Sequence, residues 1–183
     1  MRVWRRRPSL RSLRHGSARR YYRRMSAADL AEVVIDPPDR TFTDRATIEV
    51  GDRIVELSYH GRGHTNTDIV AFVPDASVLF AGDLLENDAT PSFGDGYPLE
   101  WPDTAERLLP LASGAVVPGH GSVGDRAFVE RQVAEFRALI ALARRVHAGE
   151  LDIDAAIAAS PYSPETSRDP LDRALAQLRG EIS

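Results

Sequence analysis

Between residues 61 and 83 the chain reads GRGHTNTDIVAFVPDASVLFAGD, and few backbone paths satisfy that order. Two short apolar runs, IVAFV and VLFA, are separated by Pro74-Asp75-Ala76, and Gly61-Arg62-Gly63 precedes the first. Both separators consist of turn-forming residues. The pattern predicts three strands, over residues 54–60, 69–73 and 78–81, joined by two reversals. The first and third then run the same way. His64, just past the first, and Asp83, just past the third, are set on one edge of the sheet, where loops hold reactive groups on a rigid frame.

A third group follows. Beyond Asp83 come a loop, a helix predicted over 102–109, and an apolar strand over 115–117 that ends in Pro118-Gly119-His120-Gly121. A strand–helix–strand connection returns parallel and right-handed, which brings His120 to the same edge. Two imidazoles and a carboxylate suit zinc or a similar borderline cation, and the carboxylate is able to bridge two ions. Taken singly, His64 reads as a loop histidine beside glycine and Asp83 as a turn residue. Their convergence with His120 makes them candidates. Asp68, at the start of the returning strand, either accepts a hydrogen bond from a ligand imidazole or simply ends a turn.

In this order, GHTNTDIV, AGDLLEN and VPGHG resemble the second half of the metallo-beta-lactamase superfamily of metal-dependent hydrolases, over roughly residues 41–147. The resemblance implies an α+β fold, an αββα sandwich. It further implies that His64 binds a first metal, that Asp83 bridges both metals as the catalytic carboxylate, and that His120 binds the second. Zinc, as one or two ions, is the implied cofactor. A metal-activated water would attack an ester, thioester, lactone or related bond of a small-molecule substrate. Family members that destroy antibiotics often carry Cys where this chain has Asp83 and are usually exported, so the resemblance points to the broader hydrolases with a bridging Asp.

The family draws its remaining ligands from a His-x-His-x-Asp-His motif in its first half, and this sequence has none. Its five histidines are His15, His60, His64, His120 and His147, no two of them two apart. Each ion is left with two protein ligands, whereas a catalytic zinc normally has three plus water. The expectation is a sandwich lacking much of its N-terminal half. Either a complementing chain or a second copy supplies the rest, or the chain is a truncated, metal-incomplete remnant without activity.

Charge is distributed unevenly. Residues 1–25 carry ten Arg and no acid, so a head of +10 precedes a remainder of −14. All 23 basic residues are Arg, which suggests the hypothesis of a GC-rich, bacterial coding sequence. The head has three readings: a disordered tail or an out-of-frame translation of GC-rich DNA, an Arg-rich targeting segment, or an arm that neutralises phosphates while Trp4, Tyr21 and Tyr22 stack on bases. The first is preferred and nucleic acid is not the expected partner. The rest, 26–183, is read as the metallo-beta-lactamase-like domain, with a helical tail from about residue 150. No run reaches membrane-spanning length. The absence of cysteine excludes thiol chemistry and disulfides and fits a cytoplasmic protein.

The remaining elements follow from periodicity. Ser26 caps a short helix over 26–34. Alternating Ala46, Ile48 and Val50, then Val55, Leu57 and Tyr59, predict a hairpin about Gly51-Asp52. IVAFV and VLFA, as continuous apolar runs, predict strands covered on both faces. Val129, Val133, Phe136, Ile140 and Ala143 recur at helical spacing over 125–146. Two shorter helices are expected near 152–159 and 171–178. Residues 84–101 read as a loop over the metal edge, and Phe93, Tyr97 and Trp101 either line a substrate mouth or pack that loop onto the sheet.

Overall fold

The computed structural model describes Pro38 and residues 40–182. The Arg-rich head and the helix expected over 26–34 lie outside the described residues. Within them, one five-stranded sheet runs in sequence order. β1 (Arg45–Val50) and β2 (Arg53–Ser58) form the expected hairpin, with Ile48 opposite Val55. β3 (Val70–Val73) returns antiparallel, and β4 (Val78–Glu86) runs antiparallel to β3. β5 (Val116–His120) pairs parallel with β4, as a crossover through α1 (Trp101–Glu106) requires.

β4 departs from expectation. It does not stop at Ala81 but continues through Asp83 to Glu86, so Asp83 lies inside a strand rather than beyond one. The pairing with β5 slips on either side of Gly82, whose φ of 56° only glycine adopts freely. This irregularity re-aims the strand end.

The helices pack on one face of the sheet. α2 (Arg126–His147) is capped by Asp125, whose Oδ1 accepts from the Phe128 N–H at 3.0 Å. Its buried stripe includes Val129, Val133, Phe136 and Leu139. It meets Val70, Leu79, Ala81 and Val116 of the sheet and Trp101 of α1 in one core. α3 (Ile153–Ala158) and α4 (Pro164–Leu178) pack against α2. α4 starts seven residues before the expected helix and carries Pro170 in its interior, because Ser167, Pro170, Leu171, Ala174 and Leu175 together make its buried face.

The apolar runs are not covered on both faces by these helices. The pleat sends successive side chains to opposite sides, so Leu79 and Ala81 join the core while Phe80 is 46% exposed. Ile48, Val55, Leu57, Val73 and Val117 share the Phe80 side, and none belongs to the core cluster. Among the described residues no helix is long and apolar enough to cross a membrane.

Two substitutions in α2 should separate core packing from capping. Leu139→Ala, at a fully buried position, is expected to lose about 2–5 kcal/mol. Asp125→Ala is expected to lose about 1 kcal/mol. Urea denaturation with unchanged m-values is the check.

Candidate metal centre

The topology places its three side chains together. His64 stands in the loop between β2 and β3, Asp83 in the bulged end of β4, and His120 at the last residue of β5. His64 Nδ1 lies 3.8 Å from Asp83 Oδ2, and His120 Nε2 lies 3.6 Å from Asp83 Oδ1. Each imidazole therefore faces its own oxygen of one shared carboxylate. The Asp83 side chain is 39% exposed and that of His120 69% exposed, so the edge is open to solvent.

Close backbone approach produces this geometry. A Cβ on Gly119 would collide with Asp83 Oδ1 and crowd the Asp83 and Gly82 backbone, and one on Gly121 would run into the Asn87 carbonyl. The Asn87 N–H donates to the His120 carbonyl at 3.0 Å, and its side-chain amide donates to the Ser122 carbonyl at 2.9 Å. The ends of β4 and β5 are thus stitched beyond the regular ladder.

Both separations exceed hydrogen-bond length. They are near the spacing of two donors on one tetrahedral zinc, about 3.4 Å for bonds of about 2.1 Å. In kind, these are metal donors. In number they fall short: among the described residues no group of three or more His, Asp or Glu is placed to hold one cation. The structure brings the predicted ligands together pairwise about Asp83, not as a closed set.

Asp68 serves mainly its own turn. Its carboxylate accepts from the Thr65 N–H and the Thr65 hydroxyl, each at 2.7 Å. It stands 3.8 Å from His64 Nδ1, too far for a hydrogen bond but near enough to act by charge. Burial alone would lower the His64 pKa, and the acidic groups of Asp68, Asp83 and Glu86 outweigh it, leaving the imidazole above its usual range. His60 is different. Burial first, then the charges of Arg45 and Arg107, lower its pKa, and it hydrogen-bonds Ser58 Oγ at 2.8 Å.

Phe93, Tyr97 and Trp101 do not line a mouth. All three are buried, Trp101 completely. Its indole N–H donates to the Leu84 carbonyl at 3.0 Å, and its ring packs against Phe93 and Phe136 at 4.9 and 4.8 Å. Hydrophobic burial drew them into the core, where Trp101 forms a wall 5.9 Å from the His64 ring.

Sequence reasoning missed Glu86 and Gln132. Gln132 Oε1 accepts from the Glu86 N–H at 3.2 Å and its Nε2 donates to the Glu86 carbonyl at 3.0 Å. A helix side chain thereby replaces a strand partner at the end of β4. The available signal was a polar residue in the apolar stripe of α2, beside Val129, Val133 and Phe136. The Glu86 residue is 7% exposed, and burial pushes its carboxyl above the ordinary carboxylate range, against the pull of the Ser92 N–H and the two histidines.

Over part of its length the chain is similar to known proteins. Residues 1–120 match the family model described as the metallo-beta-lactamase superfamily. The chain is 31% identical over 115 residues to the metallo-beta-lactamase type 2 of Bacteroides fragilis, covering 60% of this chain and 46% of that protein. With the metallo-beta-lactamase type 2 of Bacillus cereus it shares 36% identity over 87 residues, 45% of this chain and 34% of the relative. A solved metallo-beta-lactamase from Pontibacter korlensis superposes with a TM-score of 0.53 at 27% identity, over 62% of this chain and 55% of that one. The chain thus spans less than half the length of these two curated relatives.

Gly119→Ala is expected to displace the Asp83 carboxylate and reduce retained metal, whereas Gly149→Ala, where no atom lies within 4 Å but φ is +74°, should cost stability through backbone strain and leave retention by the folded chain unchanged. Elemental analysis distinguishes them. Because the Glu86 pKa is raised on folding, the folded state binds more protons, and this group's contribution to stability grows as pH falls through the folded pKa. Glu86→Gln should therefore stabilise the metal-free protein near neutral pH, with the gain fading toward pH 4 in thermal melts.

Proposed function

This chain belongs to the metallo-beta-lactamase superfamily, and on that premise we propose that it carries one side of the metal centre of a zinc-dependent hydrolase. The observation behind the reading is the Asp83 carboxylate, which presents one oxygen to His64 and the other to His120. His64 with Asp83 would hold one cation, and His120 with Asp83 a second. Bound zinc would supply Lewis acidity toward a substrate oxygen and would lower the pKa of an attacking water.

The chain's own residues have simpler tasks. Asp83 fixes the spacing between the two imidazoles, with Gly119 giving it room. Asp68 sets the loop that carries His64. Trp101 closes the inner side of the site against water, while the exposed His120 side remains open for a small-molecule substrate. Esters, thioesters and lactones are the proposed substrates, because Asp83 is a carboxylate where cysteine is common in the antibiotic-destroying enzymes. The cysteine-free composition supports a cytoplasmic setting.

Two donors per cation favour a partner in the assembly. Among the described residues the sheet face of Ile48, Val55, Leu57, Val73, Phe80 and Val117 lies outside the core formed with the helices; Phe80 on it is 46% exposed, and a complementing chain or a second copy would cover Phe80 while bringing further ligands. The rival reading is a metal-incomplete remnant without activity.

Zinc content of the purified chain decides between them. The expected result is bound zinc that falls by half or more in His64→Ala and in Asp83→Asn, together with zinc-dependent turnover of a thioester or lactone probe. Zinc content equal in parent and variants, with no turnover, would establish the remnant. Turnover of a β-lactam alone would move the assignment to the activity that the relatives' names carry.

A further inference from the structure

We propose that Gln177, in the C-terminal helix α4, is a positioning residue for His64. It lies outside residues 1–120, the span of the family match, and 113 positions along the chain from the histidine. Its primary amide is used at both ends. Oε1 accepts from the Leu99 N–H at 2.9 Å, and Nε2 donates to Glu100 Oε2 at 2.5 Å. The other oxygen of Glu100 pairs with the Arg62 guanidinium, which lies over the Tyr97 ring at 4.5 Å from its centroid. The Tyr97 N–H donates to the Gly63 carbonyl at 2.8 Å, and Thr104 Oγ1 donates to the Arg62 carbonyl at 2.7 Å. One turn earlier in α4, Arg173 Nε donates to the Gly96 carbonyl at 2.8 Å. The helix thus holds residues 96–100, and these hold Arg62 and Gly63, the two residues that lead into His64.

The chemistry at position 177 is specific. An amide offers an acceptor and two donors on one planar group, so it serves a backbone N–H and a carboxylate at once. A carboxylate of the same shape serves only the N–H and repels Glu100. Docking of α4 itself depends on Leu171, Ala174 and Leu175, which are buried. Gln177 is therefore separable from the packing of its helix. Its relevance to catalysis rests on the metal reading above, while its effect on His64 does not.

The test uses the full chain and two readouts. In metal-free protein at fixed pH, the imidazole resonances of His64 and His147 are followed by nitrogen-15 NMR. In parallel, Co2+ is titrated and its absorption spectrum recorded. Gln177→Glu is expected to move the His64 resonances and leave those of His147 in place. It should also weaken Co2+ binding about tenfold, the lower end for groups that orient metal-binding side chains. Combining it with Glu100→Gln restores one amide and one carboxylate to the contact and should return the His64 resonances toward their parent positions. If Gln177→Glu unfolds the chain, Gln177→Met removes both hydrogen bonds without adding charge and should give the same displacement. His64 resonances unmoved in the folded variant, or as far displaced in the double variant as in the single, would overturn the assignment. Failure of the parent to bind Co2+ would count against the metal reading alone, and the imidazole readout would still decide the role of Gln177.

Discussion

Two parallel strands cannot be closed by a tight turn; their connection has to leave the sheet, cross one face and return. In this chain that constraint falls on β4 and β5, whose crossover carries Trp101 into the core through α1. The pairing brings the end of β5 alongside Asp83 and so sets His120 next to a residue 37 positions earlier. The rest of the site follows from it. The bulge at Gly82 turns the carboxylate toward the edge, Gly119 leaves room for it, and His64 approaches from the loop that β2 and β3 present on the same side.

Past the regular ladder, helix side chains take over the work of strand partners. Gln132 of α2 holds the backbone of Glu86 at the end of β4, and Gln177 of α4 holds the loop packed beside Gly63. Both are primary amides. Such a group satisfies a donor and an acceptor at once and adds no charge whose desolvation must be offset, which suits a partly buried edge close to acidic groups. The site is consequently framed by helices as well as by the sheet that carries its ligands.

Among the described residues the helical core takes one face of the sheet, and each half of the centre has two donors. Ile48, Val55, Leu57, Val73, Phe80 and Val117 form an apolar face outside the helical core, and the donors around Asp83 stop at one imidazole per oxygen. The chain spans 46% and 34% of the two curated relatives it was compared with.

Strand alternation, glycine turns and the crossover were legible in the residues because they depend on local backbone preference and on a handedness rule that hardly varies. They sufficed to place His64, Asp83 and His120 on one edge. The extent of β4 was not legible, since Leu84, Leu85 and Glu86 continue a strand only by pairing with β5 and with Gln132. The start of α4 was hidden by Pro170, whose helical penalty is outweighed by a buried face that runs through it. The fate of Phe93, Tyr97 and Trp101 was likewise undecided, because an aromatic residue in a loop has the same composition whether it meets solvent or a core. Sequence alone determined which atoms are available to bind a cation and on which edge they emerge. Tertiary structure decided their separations, the burial of the aromatics and the bracing of the His64 loop from α4, because each depends on contacts between residues far apart in the chain.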